Sequence, residues 1–208
     1  MTDKDFDYFK ELDKCIASLA SQGDLLMYNA IPKKEYDELY ETILILQVFH
    51  TSFFGQTSSI FTHFLEETQQ LKNSKEDRKQ TGSFYTPSYV AEYICKETLR
   101  PLILGVLRDE SVEDKVKSIT ELKICDPAMG SGIFIKCAQD YMMRWLCKLK
   151  QNKYNTGQLA ELSLSSLYGV DINPEAVKLT KLVLNLNTAK WKVKNEILEF
   201  TNHLANHI

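Results

Sequence analysis

The chain has 208 residues, enough to bury a sizeable core in one domain or two small ones. Its apolar content is that of a globular protein, and a net charge of −3 argues against a strong general DNA binder. No apolar run approaches the ~20 residues of a membrane span, and the acidic start Met1-Thr2-Asp3-Lys4-Asp5 has no apolar signal core. The expected location is cytoplasmic, without membrane contact.

The charge is uneven. Residues 1–80 carry 9 basic and 14 acidic groups, and residues 81–208 carry 16 basic and 14 acidic. Neither half has a basic stripe of the kind that neutralises a phosphate backbone. The five cysteines, at 15, 95, 125, 137 and 147, are odd in number and contain no C-x-x-C, which speaks against disulfides or a zinc site. They are expected to be buried, unreactive thiols.

In chain order, Phe6, Phe9, Leu12, Ile16 and Leu19 recur at helical spacing, and Gly23 ends that helix. Pro32 opens a second helix with an apolar side of Tyr36, Leu39, Tyr40, Ile43, Leu44 and Val48. A third is predicted from Ser58 to Leu71. The stretch from Lys72 to Gln80 is wholly polar and reads as a solvated linker over 73–80. Residues 1–72 are thus predicted to form a small helical domain.

A different architecture begins at Thr81. Thr86 suits an N-cap and Pro87 a first helical position, for a helix to about Leu99 that Pro101 breaks or restarts. A charged helix is predicted over about Asp109–Ser118, a strand over Leu122–Cys125, and a long helix from Gly132 to Leu149. Residues 150–162 read as a polar loop insertion. Ser166 to Asp171 reads as a second strand. Asn173 then caps a helix that starts at Pro174 and runs to about Thr188. A last helix is predicted over Lys194–His207. Strand, helix, strand, helix implies a parallel sheet, with ligands at the carboxyl ends of its strands.

Both strand ends carry chemistry. At the first, Gly130 and Gly132 allow a sharp turn and close approach to a ligand. The helix that follows offers the positive end of its dipole. Asp126 adds a carboxylate suited to a cationic or hydroxyl-bearing group. At the second, Asp171 can accept hydrogen bonds from a ribose diol, or it can be a turn residue preceding the Asn173 cap. Ile172 is placed to lie against a base ring. A dinucleotide fingerprint would need Gly or Ala at 135, where Ile135 stands, and no G-x-x-x-x-G-K-[ST] loop is present. His203 and His207, four apart, read as part of a solvated terminal helix; no metal site is expected.

Three segments taken together resemble a known family. Gly82-Ser83-Phe84-Tyr85-Thr86-Pro87, Asp126-Pro127-Ala128-Met129-Gly130-Ser131-Gly132-Ile133-Phe134 and Tyr168-Gly169-Val170-Asp171-Ile172-Asn173-Pro174 occur in the order seen in adenine-N6 DNA methyltransferases of type IIG and type I restriction-modification systems. The resemblance covers about 81–208. It implies an α/β fold: a helical N-terminal domain followed by a partial Rossmann-like, S-adenosylmethionine-dependent methyltransferase domain. It also implies S-adenosylmethionine as cofactor, with Tyr85 and Thr86 flanking its carboxylate and Asp126 near its amino group. Ala128, Gly130 and Gly132 would form the floor, Asp171 would take the ribose hydroxyls, and Ile172 would pack on the adenine.

The same resemblance exposes a gap. Family members go on to an Asn-Pro-Pro-Tyr motif that binds the flipped target adenine. The prolines here are Pro32, Pro87, Pro101, Pro127 and Pro174, none adjacent. No catalytic residue is therefore expected within the chain, which reads as the cofactor half of such an enzyme, inactive alone. Duplex DNA would be reached through a C-terminal part not present here. Two strands alone leave apolar surface, so the N-terminal helices or a second copy are expected to cover it. The competing reading is a non-catalytic helical interaction module with a vestigial methyltransferase fold.

Overall fold

The structure, a computed structural model, describes residues 10–21, 36–56, 86–149 and 153–205. The predicted helix at Ser58–Leu71, the 73–80 linker and Tyr85 lie outside these residues, as do the side chains of His203 and His207. The described part is mostly helical. Residues 10–21 form α1, followed by α2 (Tyr36–Phe54), α3 (Ser88–Arg108), α4 (Lys115–Thr120), β1 (Ile124–Asp126), α5 (Ile133–Leu149), α6 (Thr156–Leu164), β2 (Leu167–Gly169) and α7 (Pro174–Ala205). The strands β1 and β2 pair in parallel, with Ile124 opposite Leu167, Cys125 opposite Tyr168 and Asp126 opposite Gly169.

Four expectations are corrected. Pro101 does not break α3, which runs through it. A proline removes one N–H and frees the carbonyl four residues earlier; Pro101 and Glu97 are both exposed, so this stretch lies on the solvent side of α3, where a freed carbonyl costs least. The 150–162 stretch is not simply a loop, because α6 begins at Thr156 behind a capping box. Asn155 accepts from the Gln158 amide at 2.8 Å, and the Gln158 side chain accepts from the Asn155 amide at 2.9 Å. That Asn-x-x-Gln signal was present in the sequence. The charged helix starts only at Lys115, where Asp114 caps it by accepting from the Lys117 amide. The two helices predicted after Asn173 are one continuous helix, α7.

The central element is α5. Its first turns are buried almost all round, from Ile133 through Met143. It packs against α3, whose buried residues Ala91, Cys95, Leu99 and Ile103 fall at i, i+4 spacing and form one narrow stripe. On its other sides lie α6, α7 and α1. Leu12, Ile16 and Leu19 of α1 and Ile43 and Leu46 of α2 share one continuous core with Ile133, Met142, Leu179 and Leu186. The N-terminal helices therefore pack on the sheet-bearing body. The sheet itself stays open on one side, where Cys125, Tyr168, Val170 and Ile172 are exposed.

Burying α5 also buries polar groups, and each needs a partner. Lys136 is 2% exposed. Its ammonium lies 2.9 Å from Asp13 and 2.9 Å from Asp140. Lys190 of α7 closes the ring, 2.6 Å from Asp13 and 3.2 Å from Asp140. Two cations and two anions thus alternate between α1, α5 and α7. Asn187 and the Trp191 indole N–H also donate to Asp140, each at 3.0 Å. Burial by itself would raise the Asp140 carboxyl, but Lys190, Lys136 and Asn187 outweigh it and hold it far below the usual carboxylate range.

Candidate functional site

The two strand ends meet in one place. Past β1 the chain enters the turn Pro127–Gly132, which is fastened from several directions. The Met129 amide donates to Val170 O at 3.0 Å, and the Val170 amide donates to Asp126 O at 2.9 Å, which extends the pairing of β1 with β2. Gly130 has φ 51° and Gly132 φ 92°, both in the left-handed region that glycine tolerates best. Thr180 of α7 donates its hydroxyl to Gly130 O at 2.8 Å.

Asp171 supplies the link between the ends. One carboxylate oxygen accepts from the Gly130 amide at 2.9 Å, and the other from the Asn173 amide at 2.8 Å. It is thus the turn residue before the cap and a brace across to the glycine turn. Each oxygen keeps a further lone pair. Asn173 in turn accepts from the Glu175 amide at 3.0 Å, starting α7 as its sequence predicts. Ile172 stands fully exposed beside it at 101%.

Asp126, Ala128, Gly130, Gly132, Asp171 and Ile172 therefore come together at the strand ends. Thr86 is half-buried just before α3, one residue ahead of the cap position, which Pro87 occupies. Asp126 uses one oxygen to accept from the Ala128 amide at 3.1 Å. Its other oxygen is buried and has no hydrogen-bond partner among the described residues. A buried carboxylate oxygen left alone is costly, so it favours a donor brought by a ligand. A cavity of about 280 Å³, lined by Ile94, Cys95, Leu99, Asp126 and Phe134, adjoins it.

Several supporting residues were not singled out from the sequence. Gly169 sits where an added Cβ would lie 2.1 Å from the Met129 sulfur and 2.6 Å from Ile135. A glycine inside a strand is the usual signal of such close approach. Ser131, Thr180 and the Lys136–Asp140 pair were missed as well. The pair carried a signal, opposite charges four apart in an apolar helix.

The cysteines need two corrections. Cys15, Cys95 and Cys137 are buried, but Cys147 is only half-buried and Cys125 is exposed on the open face of the sheet. Burial, helped by the Asp126 carboxylate, pushes the Cys95 thiol up to about 11. Burial pushes Cys137 up to about 12. Iodoacetamide at neutral pH is therefore expected to label Cys125 in the native chain and to reach Cys95 and Cys137 only on unfolding. Peptide mass spectrometry reads this directly; Cys95 labelling as fast as Cys125 would contradict the packing of α3 on α5.

The described residues form a parallel β-α-β unit with a glycine turn and two carboxylates at its strand ends, the edge at which open α/β sheets generally present their ligand sites. More narrowly, the chain belongs to the N-6 DNA Methylase family, whose profile matches residues 57–204. It is 33% identical over 123 residues to an adenine-specific methyltransferase, PglX, of Streptomyces coelicolor, a match covering 59% of this chain and 9% of that protein. It is 25% identical over 146 residues to a protein of Methanocaldococcus jannaschii named as a type II restriction enzyme and methyltransferase, covering 53% of this chain and 12% of the relative. The chain thus spans about a tenth of the length of these relatives. No solved structure matches it. Among the described residues, no helix is long and apolar enough to cross a membrane, and no cluster of His, Cys, Asp or Glu could hold a metal ion.

Proposed function

We propose that the chain binds S-adenosylmethionine at the strand ends of β1 and β2, as the cofactor half of a DNA adenine-N6 methyltransferase of a restriction-modification system. The observation that carries this reading is the unpartnered, buried Asp126 oxygen beside the glycine turn. A carboxylate in that position suits the ammonium and sulfonium of the cofactor and would repel a phosphate. Asp126 and Thr86, with Tyr85, would hold the methionine end, over a floor of Ala128, Gly130 and Gly132. Asp171 has lone pairs left for ribose hydroxyls, and exposed Ile172 offers an apolar surface to adenine. When bound, the cofactor supplies an electrophilic methyl group on sulfur.

The helical segment 1–72 would support residues 81–208 across a linker at 73–80. With no adjacent prolines in the chain, handling of the target adenine would fall to another part of a longer protein, and this chain alone would not methylate DNA. Calorimetric titration is expected to show saturable binding of S-adenosylmethionine, weakened at least about tenfold by Asp171→Ala, which removes both the brace on Gly130 and the ribose acceptor. Binding unaltered by that change would refute the site assignment. A folded wild type that binds nothing would favour a non-catalytic helical module.

A further inference from the structure

The glycine turn is held by more than the sheet and α7. Ser131, between the two glycines, is 2% exposed and donates its hydroxyl to Ala20 O of α1 at 2.5 Å. Five residues on, Lys136 reaches back to Asp13 of α1 at 2.9 Å. Between these two fastenings, Ile16 and Leu19 are fully buried in the shared core. A helix docked only for stability would meet α5 through such apolar side chains. Here α1 also grips Ser131, the residue between the two glycines of the turn.

We propose that α1 is a positioning element for the glycine turn, with Ser131 and Asp13 as the positioning residues through which it acts. The turn places two consecutive alternate residues, Gly130 and Gly132, at positive φ. Backbone of that kind persists where the surroundings over-determine it. Asp171 and Thr180 hold Gly130, and Thr180 packs closely over Gly132. Ser131 is the anchor contributed from the N-terminal side. Asp13 keeps α1 in register with it, because the Lys136 and Lys190 ammonium groups both converge on one Asp13 oxygen. Unseating α1 therefore loosens the turn without touching any group that would face the ligand. The consequence for cofactor affinity rests on reading the turn as the S-adenosylmethionine site; the consequence for the order of the turn does not.

The test is amide hydrogen exchange, followed by NMR on the unliganded chain, together with titration of S-adenosylmethionine. Ser131→Ala and Asp13→Asn are each expected to speed exchange at the Gly130 and Gly132 amides about tenfold relative to the core amide of Met142. Each should weaken S-adenosylmethionine by a similar factor. Their combination should fall short of the product of the two, since both act through one docking contact. Unchanged exchange at both glycines in Asp13→Asn, while the amides of α1 exchange faster, overturns the proposal. Should Ser131→Ala fail to fold, Ser131→Cys preserves the volume with only a weak donor and is read in the same way. A wild type that binds no S-adenosylmethionine refutes the cofactor assignment, while the exchange data still decide whether α1 holds the turn.

Discussion

Asp140→Asn is expected to destabilise the chain by about 3–5 kcal/mol, the usual cost of removing one partner from a buried ion cluster. The side chain of Asp140 is 11% exposed and answers both Lys136 and Lys190. Asparagine at 140 would leave two ammonium groups sharing Asp13 alone, and it would turn an amide donor toward groups that are themselves donors. For a chain of this size the loss corresponds to a fall in Tm of about 10 °C. The effect has a defined pH window. Asp140 lies far below its ordinary value in the folded chain, so its contribution is complete above the unfolded value of about 3.9 and is lost as pH falls below that. Burial alone would lower Lys136, but Asp140 and Asp13 raise it, so its contribution is complete below the unfolded value of about 10.4 and is lost as pH rises beyond. The stability gap between wild type and Asp140→Asn should therefore be flat from about pH 5 to 9 and should narrow in stronger acid. Denaturant melts across that range check it; a gap below about 1 kcal/mol at pH 7 would mean that the ring is a surface network of little weight.

Gly132→Ala is expected to cost about 3 kcal/mol and, with the glycine turn as the proposed cofactor site, to abolish S-adenosylmethionine binding, through two separable causes. At φ 92° any side chain is strained. The new Cβ would also lie 2.8 Å from Thr180 Cγ2 and 2.9 Å from its hydroxyl. Thr180 is 3% exposed and β-branched, and rotating it away breaks its hydrogen bond to Gly130 O. Adding Thr180→Ala should relieve the two closest contacts but leave the backbone strain and the contact with Cβ at 3.2 Å, so only part of the stability returns. Full recovery of both stability and binding in the double variant would show that the positive φ carries no cost.

Local chemistry explains most of what could be read early. The glycine turn and the Asn173 cap each depend on residues within a few positions of one another, and the sequence patterns place them correctly. The errors have local causes too. The polar character of 150–162 masks the Asn155–Gln158 capping box, and a proline on an exposed helix face such as Pro101 breaks a helix less readily than a buried one. Cys125 is exposed because the helices packed on the two-stranded sheet leave one of its faces open.

The sequence by itself determined the family, the order of the motifs and the residues that gather at the strand ends, because a turn, a cap and a strand end are specified by short-range sterics and hydrogen bonding. Tertiary structure alone decided what those residues lean on. Asp171 reaches 41 positions back to the Gly130 amide, Ser131 reaches 111 positions back to Ala20, and Lys190 reaches 177 positions back to Asp13. No local pattern encodes such partners, since they are chosen by which helices bury their apolar faces together and by the need to pair every charge that burial removes from water.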